Sequence, residues 1–503
     1  MQDLGKLTTP PTTKASGVYI NSYPADGPGT YDAQRNAAAE ALDRNKRMRQ
    51  MHIPTADGDV KIELRKRGEP ITLFGEGKIE RRDRLRHVMF AEQEGAGASP
   101  GDFSMMDQSE QPEEEDENAE FYTVGTDELL EARKDIARYS LPRAQQRVAY
   151  QKVESTIDMA THVKHRAQIK TKLKEVELLG SQIASARPMS MARFSPNGET
   201  VACGDWTGAI KLLDVPNLET KMSLRGHSAV VGGITWFPGE TTPTTLNLAS
   251  TGGEGSIHLW SLAQETPIAT LTGHGSRATR ADFHPSGKYL ASASYDTTWR
   301  LWDVETKQEL LMSEGHSREA FQVGFNCDGS LLASAGLDSI GRIWDIRSGR
   351  TVMMLEGHVQ PIHGLSWSPD GYRVLTGSSD GFAKCWDLRQ VRETANIGAH
   401  RNGVADVRWF QGQDAPLSGT KMVRDEDGMM KPKYSGTFVV TGGMDKNVNI
   451  FAADSWDLVK TLTGHDGNVN AVDISSDGKW IVSSSRDRTI KLWARDNMDS
   501  LYE

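Results

Sequence analysis

The residues of this chain whose types could do chemistry are histidine, serine or threonine, and aspartate, and they recur in sets. His274, Ser292 and Asp296 form one set, and the same spacing returns at His316, Ser334 and Asp338; at His358, Thr376 and Asp380; and at His465, Ser483 and Asp487. Such a trio is the raw material of nucleophilic catalysis, in which a histidine base activates a hydroxyl and a carboxylate orients the imidazole. Four copies at one fixed spacing argue for a repeated structural network instead of four active sites. A phosphate-binding loop is also absent: Gly75-Glu-Gly77-Lys78-Ile79 lacks the first glycine and has Ile79 where a magnesium-ligating Ser or Thr is needed. Cys203, Cys327 and Cys385 lie far apart without a C-x-x-C pair, which excludes a disulfide framework, a zinc knuckle or a redox motif. With the histidines of the repeated sets set aside, no metal-ligand cluster remains. No catalytic residue, cofactor or metal is expected.

The elements that carry these residues follow from a repeat. Gly-His pairs fall at His227, His274, His316, His358 and His465, with Ala399-His400 as a degenerate member. Trp302, Trp344, Trp386 and Trp493 each follow their histidine at one and the same distance, and the first three are followed by aspartate. With Leu213, Trp260 and Phe451 there are seven repeat ends, nearly evenly spaced except for a longer gap between Trp386 and Phe451. Between them, β-branched and apolar runs bracket turns such as Ser195-Pro-Asn-Gly198 and Ser368-Pro-Asp-Gly371, as hairpins require.

These repeats resemble the WD-repeat family, which implies an all-β seven-bladed β-propeller over residues 172–503, preceded by an α-helical, partly disordered N-terminal extension. The resemblance also implies a hydrogen-bonded tetrad in each blade, carried over onto His274, Ser292, Asp296 and Trp302 and onto the sets ending in Trp344, Trp386 and Trp493. Its role there is structural. Blade one departs with Cys203, Thr207 and Leu213, and blade two with Glu254 for aspartate, so both are expected to be held mainly by packing. Blade six keeps His400, Thr441 and Asp445 but ends in Phe451, and its long spacing places a polar, exposed insert near 411–436. The last blade lacks an outer strand, which is assigned to residues near 172–179.

Ahead of the repeats, residues 1–50 have the composition of an unpacked tail, with a short helix around 37–49. Residues 51–90 read as two helices, the first from about Asp57 to a stop at Gly68 and Pro70, the second from about Lys78. Gly68, Glu69, Pro70, Ile71, Leu73, Phe74 and Gly75, followed by Arg81, Arg82 and Leu85, resemble the short motif of the WD-repeat splicing factor of the U4/U6 small nuclear ribonucleoprotein. The resemblance implies that these residues bind a partner. It further implies a nuclear, non-catalytic scaffold of the U4/U6 and U4/U6.U5 particles in pre-mRNA splicing, with a U4/U6 particle protein of the Prp3 type, a cyclophilin, U4/U6 snRNA directly or through proteins, and U5 particle proteins as its partners.

Residues 121–171 read as a basic helical arm. Leu129, Ala132, Ile136 and Tyr139 form an apolar stripe on a helix starting near Thr126, suited to the chain's own propeller or to another protein. Pro142 suits the first turn of a further helix, which nothing interrupts up to Leu179. Charge is uneven: residues 91–120 read as an acidic linker, with 11 acidic and no basic residues over 92–120, whereas 133–174 hold 11 basic against 3 acidic. Arg143, Arg147, Lys164, Arg166 and Lys170 on the arm are thus candidates for RNA phosphate, although no aromatic residues interleave with them for base stacking. Arg277, Arg318 and Arg401 follow the Gly-His or Ala-His pairs on one propeller face and could meet RNA or an acidic partner.

The net charge of -10 argues against a nucleic-acid coat. The first ten residues lack a signal peptide's apolar run, and no stretch nears about 18 apolar residues, so a soluble intracellular chain with no membrane contact is expected. Two competing classes are a generic WD-repeat adaptor, such as a ubiquitin-ligase substrate receptor, and a hydrolytic propeller enzyme. The first does not predict the 68–75 motif, and the second needs a pocket nucleophile or carboxylate outside the repeated sets.

Overall fold

The structure, a computed structural model, describes residues 54, 57–67, 69, 71, 78–95, 126–239, 246–415, 417, 432–495 and 500–502. The expected tail helix around 37–49, most of the acidic linker and most of the 411–436 insert lie outside the described residues. The chain divides into two compact units, residues 1–120 and 121–503.

In the first unit, helices α1 (Asp57–Lys66) and α2 (Lys78–Gly95) form a pair. Asp57 and Asp59 open α1 while Arg65 and Lys66 close it, which suits the helix dipole. Val60 and Leu64, one turn apart, meet Leu85 of α2, and Met89 packs against them. Residues 91–95, expected in the acidic linker, instead continue α2, because Ala91, Glu92 and Glu94 favour helix and the first glycine comes only at Gly95.

The second unit contains seven antiparallel sheets of four strands, each inner strand hydrogen-bonded to the next along the chain. Tight hairpin turns join the first two strands of a blade: Gly198, Gly287 and Gly371 have φ of 76°, 77° and 75°, a left-handed backbone that glycine adopts without steric cost. Blade seven takes its outer strand from Glu177–Ile183, which pairs antiparallel with Thr489–Ala494 and so closes the ring. That strand lies further along than the expected 172–179. Ile169, Leu173 and Val176 keep a helical spacing of 4 and 3 and bury themselves together against blades six and seven, so the chain stays helical to Lys174.

Helix α3 (Asp127–Glu154) starts at Thr126, whose Oγ1 accepts from the Leu129 amide at 3.3 Å. It continues through Pro142, which does not open a new helix, and contacts to the propeller grip the helix on both sides of it. The expected uninterrupted helix breaks instead after Glu154. Ser155 and Thr156 donate their hydroxyls to the Lys152 and Val153 carbonyls at 2.7 Å each, and α4 (Met159–Lys174) begins afresh after Asp158.

The blade-six insert is exposed at Gln411 and Gln413, as expected, but its other described end, 432–436, is covered. The Lys433 side chain, 8% accessible, pairs with Glu154 at 3.2 Å and with Asp370, and Tyr434 packs its ring edge on His165. No described helix is long and apolar enough to cross a membrane.

Candidate partner-binding surfaces

The repeated His, Ser or Thr, Asp and Trp residues meet in every blade that has them. In blade three, His274 Nδ1 donates to Asp296 at 2.9 Å, the Ser292 hydroxyl donates to His274 Nε2 at 2.7 Å, and the Trp302 indole N–H donates to Ser292 at 2.8 Å. Blades four, five and seven repeat this through His316, Ser334, Asp338 and Trp344; His358, Thr376, Asp380 and Trp386; and His465, Ser483, Asp487 and Trp493. Ser292, Ser334, Thr376 and Ser483 are fully buried, so no substrate reaches the hydroxyls. Burial opposes the charge on Asp487, yet hydrogen bonds from Thr489 and His465 outweigh it and hold the carboxyl down at about 2.

Blade two differs from the expectation that it is held mainly by packing. The longer Glu254 reaches His227 Nδ1, while Ser250 bridges His227 and the Trp260 indole at 2.7 Å each, so the network is complete. Blade one uses a substitute: Ser185, at the position of the missing histidine, donates to Asp205 at 2.5 Å. Blade six joins His400 to Asp445 and Thr441 and leaves Phe451 in the core.

The arm's stripe belongs to the propeller. Leu129, Ala132 and Ile136 are buried with Trp299 and Trp344 of blades three and four, and Tyr139 lies 5.4 Å from the His284 ring. The arm's cations are largely engaged there too. Arg143 donates to the Cys327 carbonyl, Arg147 pairs with Asp328 at 2.7 Å, Arg166 with Asp454 at 2.6 Å and Lys170 with Asp457 at 2.7 Å. Of the five candidates for RNA phosphate, Lys164 is the exposed one. These contacts fall on turns joining strands one to two and three to four, so the arm covers one end of the propeller. Its outer surface presents Leu130, Leu141 and Val148, whose helical spacing puts them on one face, each more than two-fifths exposed.

The other end holds Arg277, Arg318 and Arg401. Arg318 and Arg401 are exposed, while Arg277 lies 5.6 Å over the Tyr295 ring. Trp206, also exposed, carries Arg486 at 5.5 Å over its ring. Trp206, Tyr295 and Arg486 were missed in the sequence. They share one repeat position, immediately before the tetrad aspartate or its replacement, and aligning the blades on that residue would have found them.

Between the ends, the channel holds a cavity of about 180 Å³ lined by Arg193, Arg280, Asp282, Gln322, Arg408 and Asp473. Arg193 bonds Asp406 at 2.9 Å across blades one and six. Asp282 and Asp473 accept the Phe325 and Phe194 amides of the following blades at 2.9 and 2.8 Å, so these hydrogen bonds stitch the ring.

In the motif hairpin, Leu85 is fully buried and Arg81, 6% exposed, donates to Asp57 at 2.5 Å. Both hold α1 against α2. Arg84 approaches Glu69 at 3.8 Å, and Glu69, Ile71 and Arg82 are partly exposed. Gly68, Pro70, Leu73, Phe74 and Gly75 lie outside the described residues.

The WD domain, G-beta repeat family model matches residues 218–261, 265–303, 307–345, 349–387 and 456–494. A second model, pre-mRNA processing factor 4 (PRP4) like, matches residues 60–88, which span the α1 and α2 pair. The chain is a seven-bladed propeller with WD repeats and a PRP4-like segment, similar to Prp4 proteins. The U4/U6 small nuclear ribonucleoprotein Prp4 of Homo sapiens is 40% identical over 210 residues, 42% of this chain and 40% of that protein. The U4/U6 small nuclear ribonucleoprotein PRP4 of Saccharomyces cerevisiae is 32% identical over 248 residues, 47% of this chain and 51% of its own length. An uncharacterized WD repeat-containing protein of Schizosaccharomyces pombe is 40% identical over 262 residues, 51% of this chain and 55% of its own. The chain thus spans about half the length of the curated relatives it matches. Neither model claims blade six before residue 456 or the start of blade one, the blades without a terminal tryptophan.

Proposed function

We propose that this chain is a non-catalytic scaffold of the U4/U6 and U4/U6.U5 small nuclear ribonucleoproteins, acting in the nucleus in pre-mRNA splicing. The observation that carries this reading is the PRP4-like segment at 60–88 on the same chain as the seven-bladed propeller, together with relatives named as U4/U6 ribonucleoprotein Prp4. A propeller whose tetrad hydroxyls are all buried offers surfaces instead of a nucleophile.

Two surfaces are suited to that work. The outer stripe of α3 at Leu130, Leu141 and Val148 fits an amphipathic helix of a partner protein, such as the Prp3-type particle protein, the cyclophilin or a U5 component. The end carrying Arg277, Arg318 and Arg401 with Trp206 and Tyr295 combines guanidinium charge with aromatic faces, which suits an acidic segment or single-stranded U4/U6 RNA. With Arg143, Arg147, Arg166 and Lys170 committed to the propeller, direct RNA contact falls to this end and to Lys164.

Affinity purification of the tagged full chain from nuclear extract, with probing of the bound RNAs, tests the reading. Recovery of U4 and U6 RNA, reduced several-fold by Arg277→Glu with Arg401→Glu, is expected. Recovery of neither RNA leaves a generic WD-repeat adaptor.

A further inference from the structure

Blade two departs from the others at two positions of the repeat at once. Where the other tetrads have aspartate it has Glu254, and two residues before the terminal tryptophan, where blades three, four, five and seven have Arg300, Arg342, Lys384 and Lys491, it has His258. Together with His227, this pair of changes brings three ligating atoms within 4.8 Å of one another. The His227 and His258 rings lie 4.2 Å apart, and His258 Nε2 is 3.8 Å from Glu254 Oε1.

We propose that His227 Nδ1, His258 Nε2 and Glu254 Oε1 bind a zinc-class divalent ion on blade two. Two imidazoles and one carboxylate are a donor set that zinc takes, with bonds of about 2.0–2.2 Å. In such a tetrahedron neighbouring donor atoms lie roughly 3.4 Å apart, so the atoms here need only side-chain adjustments to close on an ion. The outer nitrogens are already fixed: His227 Nε2 meets Ser250 at 2.7 Å and His258 Nδ1 meets Thr270 at 2.9 Å. Hydrogen bonding of the second ring nitrogen is what sets the tautomer and aim of a ligating histidine. Both imidazole side chains are at least nine-tenths buried, while Glu254 is 23% exposed, which leaves an approach from its side.

Ion binding moves one proton from Nδ1 to Nε2 of His227 and releases none. Without the ion, His227 donates its Nδ1–H to Glu254. With it, Nδ1 gives its lone pair to the metal, and the ring takes the tautomer whose Nε2–H points at Ser250 Oγ. The carboxylate keeps its charge. The site therefore replaces one link of the tetrad with a metal bridge that also ties in the third strand of the blade through His258.

The test uses the metal-free full chain, titrated with zinc by calorimetry, and with cobalt for its visible absorption. The wild type is expected to bind one equivalent at micromolar affinity or tighter, with tetrahedral cobalt bands and a zinc-dependent rise in melting temperature. His258→Arg restores the residue type that blades three and four use and should fold; it is expected to weaken zinc binding at least tenfold and to abolish the cobalt bands. Wild-type protein without cobalt bands or a zinc-dependent melting shift, or a His258→Arg protein that binds as the wild type does, overturns the proposal.

Discussion

Arg147 Nη2 lies 2.7 Å from Asp328 Oδ2, and the same guanidinium reaches the Asp370 carbonyl at 3.1 Å, so one arginine of the arm clamps the hairpin turns of blades four and five. The Asp328 side chain is 1% exposed. Removing the arginine strands a buried carboxylate, which costs about 3–5 kcal/mol. Arg147→Ala is therefore expected to lower the urea-unfolding free energy by roughly that amount and to open the 155–158 junction to limited proteolysis. An unchanged cleavage pattern and urea midpoint would show that the arm is held without this pair.

The tetrads make a second prediction. In blade four, Ser334 accepts the Trp344 indole N–H at 2.8 Å and donates to His316 at 2.7 Å, all without solvent. Ser334→Ala leaves both partners unsatisfied, and each orphaned buried group costs about 1–3 kcal/mol. A loss of at least about 2 kcal/mol by urea denaturation is expected, with the propeller's far-ultraviolet dichroism retained. A urea midpoint indistinguishable from the wild type's would mean that packing alone carries the blade.

This network was largely legible in the sequence, because a histidine and a tryptophan held at one separation in four copies leave little freedom in the blades between them. What the sequence did not disclose depends on shape. Glu254 completes its tetrad because the longer side chain still reaches His227, and Ser185 serves blade one from a position without any Gly-His signal. The arm stripe at Leu129, Ala132 and Ile136 was visible as an apolar face, but only the fold puts Trp299 and Trp344 opposite it. Likewise, Arg147 and Arg166 read as free cations until Asp328 and Asp454, far along the chain, arrive beside them.

Stability should depend on pH with a definite sign. His165, His284 and His363 are pushed down to about 4, chiefly by burial, from an ordinary 6.5. A depressed folded value means that the unfolded chain takes the proton first, so stability is full above about 6.5 and is lost as pH falls toward 4. Asp487, at about 2 against 3.8, adds a further loss between those values. Melting temperature at constant ionic strength is expected to be level from pH 8 to 7 and to fall continuously below about 6.5. A level curve down to pH 4.5 contradicts this.

The motif hairpin should be separable from the blades. Among the described residues, Leu85 clusters with Val60, Leu64 and Met89, all within α1 and α2. Leu85→Asp buries an unpaired charge in that small core and is expected to unfold the pair and reduce recovery of U4 and U6 RNA several-fold, while the propeller's melting transition stays within about 1 °C. A shifted propeller transition would make the hairpin part of the propeller's own stability.

The proposed scaffold role makes splicing depend on this chain. Nuclear extract immunodepleted of this chain, or of its counterpart, should fail to splice a reporter pre-mRNA before the first transesterification, and the full chain added back should restore both steps. Undiminished splicing after complete depletion, with U4 and U6 still joined to U5 on a glycerol gradient, would contradict the account.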